Sequence, residues 1–216
     1  MIATTLHRRF GQCCLLLILH AAPAQAQDVS ATPTFGSVSL SSGFTPDPHV
    51  VDIRAGGALN AANTLSSCVG YVASEPDFSL TYEQERYTLS IFAVAATDTT
   101  LLVNDPAGTW HCNDDTDDLD NLNPGLHFSS PQSGRYDIWV GNFAAGNNFV
   151  NAKLVISEQG TENWRTIVAG LGGGNRALVD VPDRPVVTPP EPEPEPEPVP
   201  VPVPTEGAIQ YSRKTN

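Results

Sequence analysis

Basic side chains are scarce in this chain. Eleven Lys and Arg stand against 24 Asp and Glu, a formal net charge of -13 over 216 residues. No stretch is strongly basic, which argues against nucleic-acid binding, because that needs Lys and Arg to displace phosphate counterions. Charged residues of both signs make up only 16% and aromatics only 7%, while 40% are hydrophobic, enough for one domain with a real core. Long apolar runs are missing except near the N-terminus, and that run is too short to span a bilayer comfortably. Catalytic signatures are missing too: there is no Gly-x-Ser-x-Gly, no Gly-Asp-Ser-Gly-like loop and no His-Glu-x-x-His.

What the N-terminus does hold is an address. His7, Arg8 and Arg9 form a basic start, Cys13 to Ile18 open a short apolar stretch, and Ala24-Gln25-Ala26 gives a small-x-small cleavage pattern. The Arg pair lacks the flanks of a twin-arginine signal. Cys13 and Cys14 lack lipoprotein context, and no amphipathic period follows that would make a core helix. Residues 1–26 are expected to be a removed signal peptide, and the mature chain periplasmic or secreted, with no transmembrane segment. Losing Arg8 and Arg9 takes the charge to -15.

Cleavage leaves Cys68 and Cys112 of the four cysteines. Two thiols in an exported chain are most simply a disulfide, worth about 4 kcal/mol for a loop of this length on the chain-entropy model. A metal site is the alternative, without Cys-x-x-Cys or Cys-x-x-His spacing to support it.

At the other end the composition changes at Val181. Glu-Pro repeats run from 191 to 198 and Val-Pro repeats follow to Pro204. Alternating Pro removes backbone donors and favours polyproline II, so 181–216 is expected to be a disordered Pro-rich tail. The sixteen residues from Pro189 to Pro204 would reach roughly 50 Å. They are either a stiff arm or a linker to a further domain. Residues 161–180, with the Gly-rich Gly170 to Asn175, are expected to be flexible connection.

Between 27 and 160 helical periodicity is nearly absent, and period-two segments recur between turn residues. Tyr136, Ile138 and Val140 share one face; so do Phe78, Leu80 and Tyr82. The pairs Val51/Ile53, Leu89/Ile91, Leu101/Val103 and Leu154/Ile156 follow the same alternation. Asp105 to Gly108, Asn123 to Gly125 and Pro131 to Gly134 carry turn chemistry. Eight to ten short strands predict an all-β fold: a two-sheet antiparallel sandwich of jelly-roll type, with a closed barrel as the alternative.

Several of these segments, in order, resemble the bacterial pre-peptidase C-terminal domain. They are Gly43 to Pro48, Cys68-Val69-Gly70-Tyr71, Pro76 to Phe78, Asp98 to Trp110, Cys112 to Asp115, Asn123-Pro124 and Ser133 to Gly141. The chain is most similar to a group of exported alphaproteobacterial proteins often labelled as peptidases, because relatives carry the module beside a protease domain. The resemblance covers residues 34 to about 158. It implies a β-sandwich and export, and no established activity.

Candidate chemistry is thin. His49, His111 and His127 lack a recognisable nucleophile and carboxylate. Asp98-Thr99-Thr100 lacks the Gly of an aspartic-protease motif, and Glu83 and Glu85 have no substrate between them. The acidic segment is the strongest site candidate. Asn104 and Asp105, at the end of one strand, and Asp114 and Asp115, just beyond the next, offer the flexible oxygen donors that suit Ca²⁺. The competing reading is a solvated acidic loop. Trp110 reads as core; Trp139, opposite Tyr136 and Ile138, is either covered by a loop or free to stack on a sugar.

The functional expectation is a non-catalytic exported β-sandwich module that binds or positions an envelope protein or glycan. A structural periplasmic spacer and a cryptic secreted hydrolase are the alternatives. No cofactor is expected apart from the candidate Ca²⁺.

Overall fold

The computed structural model describes residues 26–117, 119, 122–146 and 149–171. The expected signal peptide up to residue 25, residues 172–180 of the expected connection, and the Pro-rich segment 181–216 lie outside the described residues.

The period-two segments become two packed sheets. The first holds β1 (Ser37–Ser41), β3 (Leu59–Asn60), β4 (Tyr71–Val72), β5 (Phe78–Glu83), β7 (Thr99–Asn104), β8 (Trp110–Asn113) and β10 (Gly134–Asn142). The second has the order β2 (His49–Ala55), β11 (Val150–Ser157), β6 (Leu89–Ala95), β9 (Gly125–Phe128). The pairings are antiparallel except β1 with β5, which run parallel. The two-sheet all-β expectation holds, with that one parallel edge added.

Strand β10 organises the first sheet. Residues 134–138 pair with β5 on one side, and 137–142 pair with β7 on the other. Its alternation divides the molecule. Tyr136, Ile138 and Val140 point into the space between the sheets, with Phe78, Leu80, Tyr82, Leu101 and Val103. Ile53, Leu89, Ile91, Leu154 and Ile156 meet them from the second sheet. These are the residues whose spacing predicted a shared face, since successive strand side chains point to opposite faces.

Both sheets also carry apolar residues on their outer faces, and each outer face is covered. On the first, Trp139 and Leu102 are fully buried beneath a segment that includes the 3-10 turn Ala61–Asn63, with Ala61, Leu65 and Cys68. The Cys68–Cys112 disulfide, with Cα atoms 5.6 Å apart, ties that segment to β8. On the second, Phe92, Val94 and Val155 are covered by residues 161–171.

That cover corrects the expectation of a flexible connection from residue 161. Thr161–Asn163 form a 3-10 turn and Trp164–Gly170 an α-helix, α1. Trp164, Ile167, Val168 and Leu171 fall at i, i+3, i+4 and i+7, one helical face. That face packs on the second sheet. Gly125 permits the approach: a Cβ there would lie 2.1 Å from the Trp164 ring.

Candidate functional site

The β7–β8 hairpin decides the fate of the calcium candidates. Asn104 pairs with Trp110 and Leu101 with Asn113. Asn104 and Asp105 therefore sit at the tight turn, while Asp114 and Asp115 lie past the opposite end. The two paired positions are three residue steps apart along the strand, roughly 10 Å at the usual rise. The four expected ligands are thus divided between the two ends of the hairpin. Among the described residues no group of three or more His, Cys, Asp or Glu is placed to bind a metal ion.

Asp105 has a different task. Its Oδ1 accepts the amides of Ala107 and Thr109, each at 2.9 Å. Its Oδ2 lies 2.9 Å from His111 Nε2. Gly108 completes the turn with φ of +79°, and its amide donates to the Asp105 carbonyl. Burial pushes the Asp105 carboxyl upward, but His111 and the two amides outweigh it and hold the group below its ordinary value.

At the opposite end of the hairpin the loops converge on Asp98. The Phe143 amide donates to the Asp98 carbonyl at 3.2 Å, and the Thr99 amide donates to the Leu122 carbonyl at 3.0 Å. Asn123, 2% exposed, continues the β6–β9 ladder with its side chain: the Ala95 amide donates to Asn123 Oδ1 at 2.7 Å. Asn142 Oδ1 accepts the Ala144 amide at 3.0 Å and turns the chain after Phe143. These bonds fix the backbone on either side of two large apolar side chains that face solvent. Leu122 and Phe143 are each 46% exposed. Val69, also exposed, is tied nearby through its carbonyl, which accepts the Thr100 hydroxyl at 3.0 Å.

The same end is acidic. Burial, with the charges of Asp115 and Asp114, raises the Asp98 carboxyl above its ordinary value. Its Oδ1 is buried without a hydrogen-bond partner among the described residues. Arg165 of α1 reaches the loop and donates to the Asp117 carbonyl. Two exposed apolar side chains, Leu122 and Phe143, thus flank the Asp98-Thr99 backbone, and among the described residues no acid, base and nucleophile converge there.

The remaining polar clusters are structural. Ser90 Oγ lies 3.0 Å from His127 Nδ1 and donates to the Gln159 carbonyl at 2.8 Å. A carbonyl can only accept, so the hydroxyl proton goes to Gln159 and His127 must donate to Ser90. That polarity is the reverse of a general base acting on a nucleophile, and Ser90 is fully buried. His49 packs near Phe78, and burial lowers its pKa. Glu83 accepts from Ser41, and Glu85 lies past the end of β5 beside Arg86. Glu158 clamps the entry to β2: it accepts the Gly43 amide at 2.8 Å and the Tyr82 hydroxyl at 2.6 Å. Burial and Glu158 push the Tyr82 hydroxyl up to about 12. Trp139 is fully buried, with Trp110 tilted against it at 5.0 Å, so its sugar-stacking reading is excluded.

No family model and no curated protein matches the chain. Among solved structures it is similar to the crystal structure of Aeromonas hydrophila PliG, a periplasmic lysozyme inhibitor of g-type lysozyme. The match has 13% identity, covers 57% of this chain and 98% of that one, and has a TM-score of 0.32. A likeness at that level carries no argument about function. The site rests on its own geometry.

Sequence reasoning located the acidic residues and missed their partners. Asn123 reads only as a turn residue, and neither Leu122 nor Phe143 carries a sequence signal of its own. The Asn123-Pro124 pair was the available signal, since a buried Asn can imitate a strand's backbone pairing where Pro124 has no amide to offer.

Proposed function

We propose that this chain is an exported, non-catalytic β-sandwich binding module of the pre-peptidase C-terminal kind, which holds a protein partner in the cell envelope. The observation that carries this is the pair Leu122 and Phe143, exposed on backbone fixed by Asn123, Asn142, Asp98 and Thr99. Large apolar side chains held toward solvent on hydrogen-bonded backbone supply anchors at low entropic cost. A protein suits this end better than a glycan, because Trp139 is enclosed and Trp110 packs on it. The Cys68–Cys112 disulfide supports an oxidising compartment, in keeping with the signal-like first 26 residues.

The test compares capture from envelope extract by the full chain and by a Leu122→Ser/Phe143→Ser variant of equal thermal stability. Partner recovery should fall about tenfold or more in the variant, as for loss of two interface anchors. Equal recovery by both would place the contact elsewhere.

A further inference from the structure

Resting on that binding reading, we propose that the partner at the Leu122–Phe143 end is a cationic protein, with Lys and Arg around an apolar recess.

The first support is charge distribution. Between Arg86 and Arg135 there is no Lys or Arg, and the same stretch carries Asp98, Asp105, Asp114, Asp115, Asp117, Asp118 and Asp120. This stretch spans β6 to β9, so two strands of each sheet and the loops joining them lack Lys and Arg. Arg165 reaches this region from α1, where it donates to the Asp117 carbonyl and, among the described residues, pairs with no carboxylate.

The second support is desolvation. Asp98 shares its backbone with both anchors: its carbonyl holds Phe143, and the next residue's amide holds Leu122. A partner seated on the anchors therefore also approaches Asp98, whose carboxylate interacts with the charges of Asp115 and Asp114. A neutral or acidic partner offers these carboxylates nothing in exchange for lost water, and an unpaired buried charge is strongly disfavoured. A rim of Lys and Arg pairs those groups, steers the encounter, and rejects acidic competitors by the same charge.

The experiment places a photo-crosslinking phenylalanine at position 143 of the full chain in cells and separates the adducts by the charge of the captured protein. The captured proteins should be basic. Adduct yield should fall about tenfold between roughly 50 and 300 mM NaCl, because rim pairs are screened over a Debye length. It should fall comparably with Asp114→Asn/Asp115→Asn. Glu83→Gln/Glu85→Gln, which removes two charges at the other end, should leave the yield unchanged. Neutral or acidic adducts, or equal losses from both double variants, would overturn the cationic partner while leaving the binding surface standing. Absence of adducts at position 143 would overturn both.

Discussion

The Trp164 indole stacks on Phe92 with ring centroids 4.9 Å apart and an angle of 24° between the planes. Trp164 is 1% exposed, so a residue beyond the last strand forms part of the core on the second sheet's outer face. Trp164→Ala should lower stability by about 3–5 kcal/mol, the usual loss for a large buried aromatic. Truncation after residue 160 should cost at least as much. Denaturant unfolding checks both, and a change under about 1 kcal/mol would mean that α1 is dispensable.

The disulfide secures the other cover. Replacing Cys68 and Cys112 with Ser should destabilise the fold by about 2–5 kcal/mol. It should also expose the Trp110–Trp139 pair, seen as a red shift in tryptophan emission and faster amide exchange at residues 61–69. A stable variant with unchanged emission would show that packing of Leu65 and Ala61 suffices.

Asp98 gives a pH test with a defined sign. Its carboxyl titrates above the ordinary value, first through burial and then through Asp115 and Asp114. The folded state thus binds this proton more tightly than the unfolded chain, and stability falls as pH rises through the folded-state value. Asp98→Asn should therefore stabilise the protein at neutral pH. The gain should disappear in acid, below the ordinary carboxylate range, where Asp98 is protonated in both states. Melting curves across pH check this; destabilisation at neutral pH would mean that the carboxylate has a stabilising partner. The same variant should weaken partner capture, a combination a purely structural residue would not produce.

Asp105 should behave in the opposite way. Asp105→Ala removes two amide bonds and the His111 contact, costing about 1–3 kcal/mol, and should leave partner capture unaltered. Since its oxygens are engaged within the hairpin, millimolar Ca²⁺ should shift the melting temperature no more than NaCl at matched ionic strength. A larger Ca²⁺ shift that vanishes in this variant would restore the calcium reading.

The sandwich was legible because burial between two sheets imposes a strict alternation. Tyr136, Ile138 and Val140 show it without knowledge of their partners, and Trp139 shows its complement. The Cys68–Cys112 pairing followed from there being two cysteines in the expected mature chain. What escaped were features set by pairing across distant segments. Asp105 and Asp114 are close in sequence, yet a hairpin puts residues at its tip and those past its open end far apart. Leu122 and Phe143 lie on different loops, and only their backbone bonds to Thr99 and Asp98 bring both loops to the same end of the sandwich. The α1 face was readable at Trp164, Ile167, Val168 and Leu171, but the Gly-rich stretch after it drew attention to flexibility.

The most direct measurement is in-cell crosslinking from two aromatic positions of matched exposure, Phe143 at 46% and Tyr87 at 45%. A photo-crosslinking phenylalanine at 143 should give discrete protein adducts that are absent when the same group stands at 87. Equal adducts from both positions, or adducts from 87 alone, would contradict a binding surface at the Asp98 end of the sandwich.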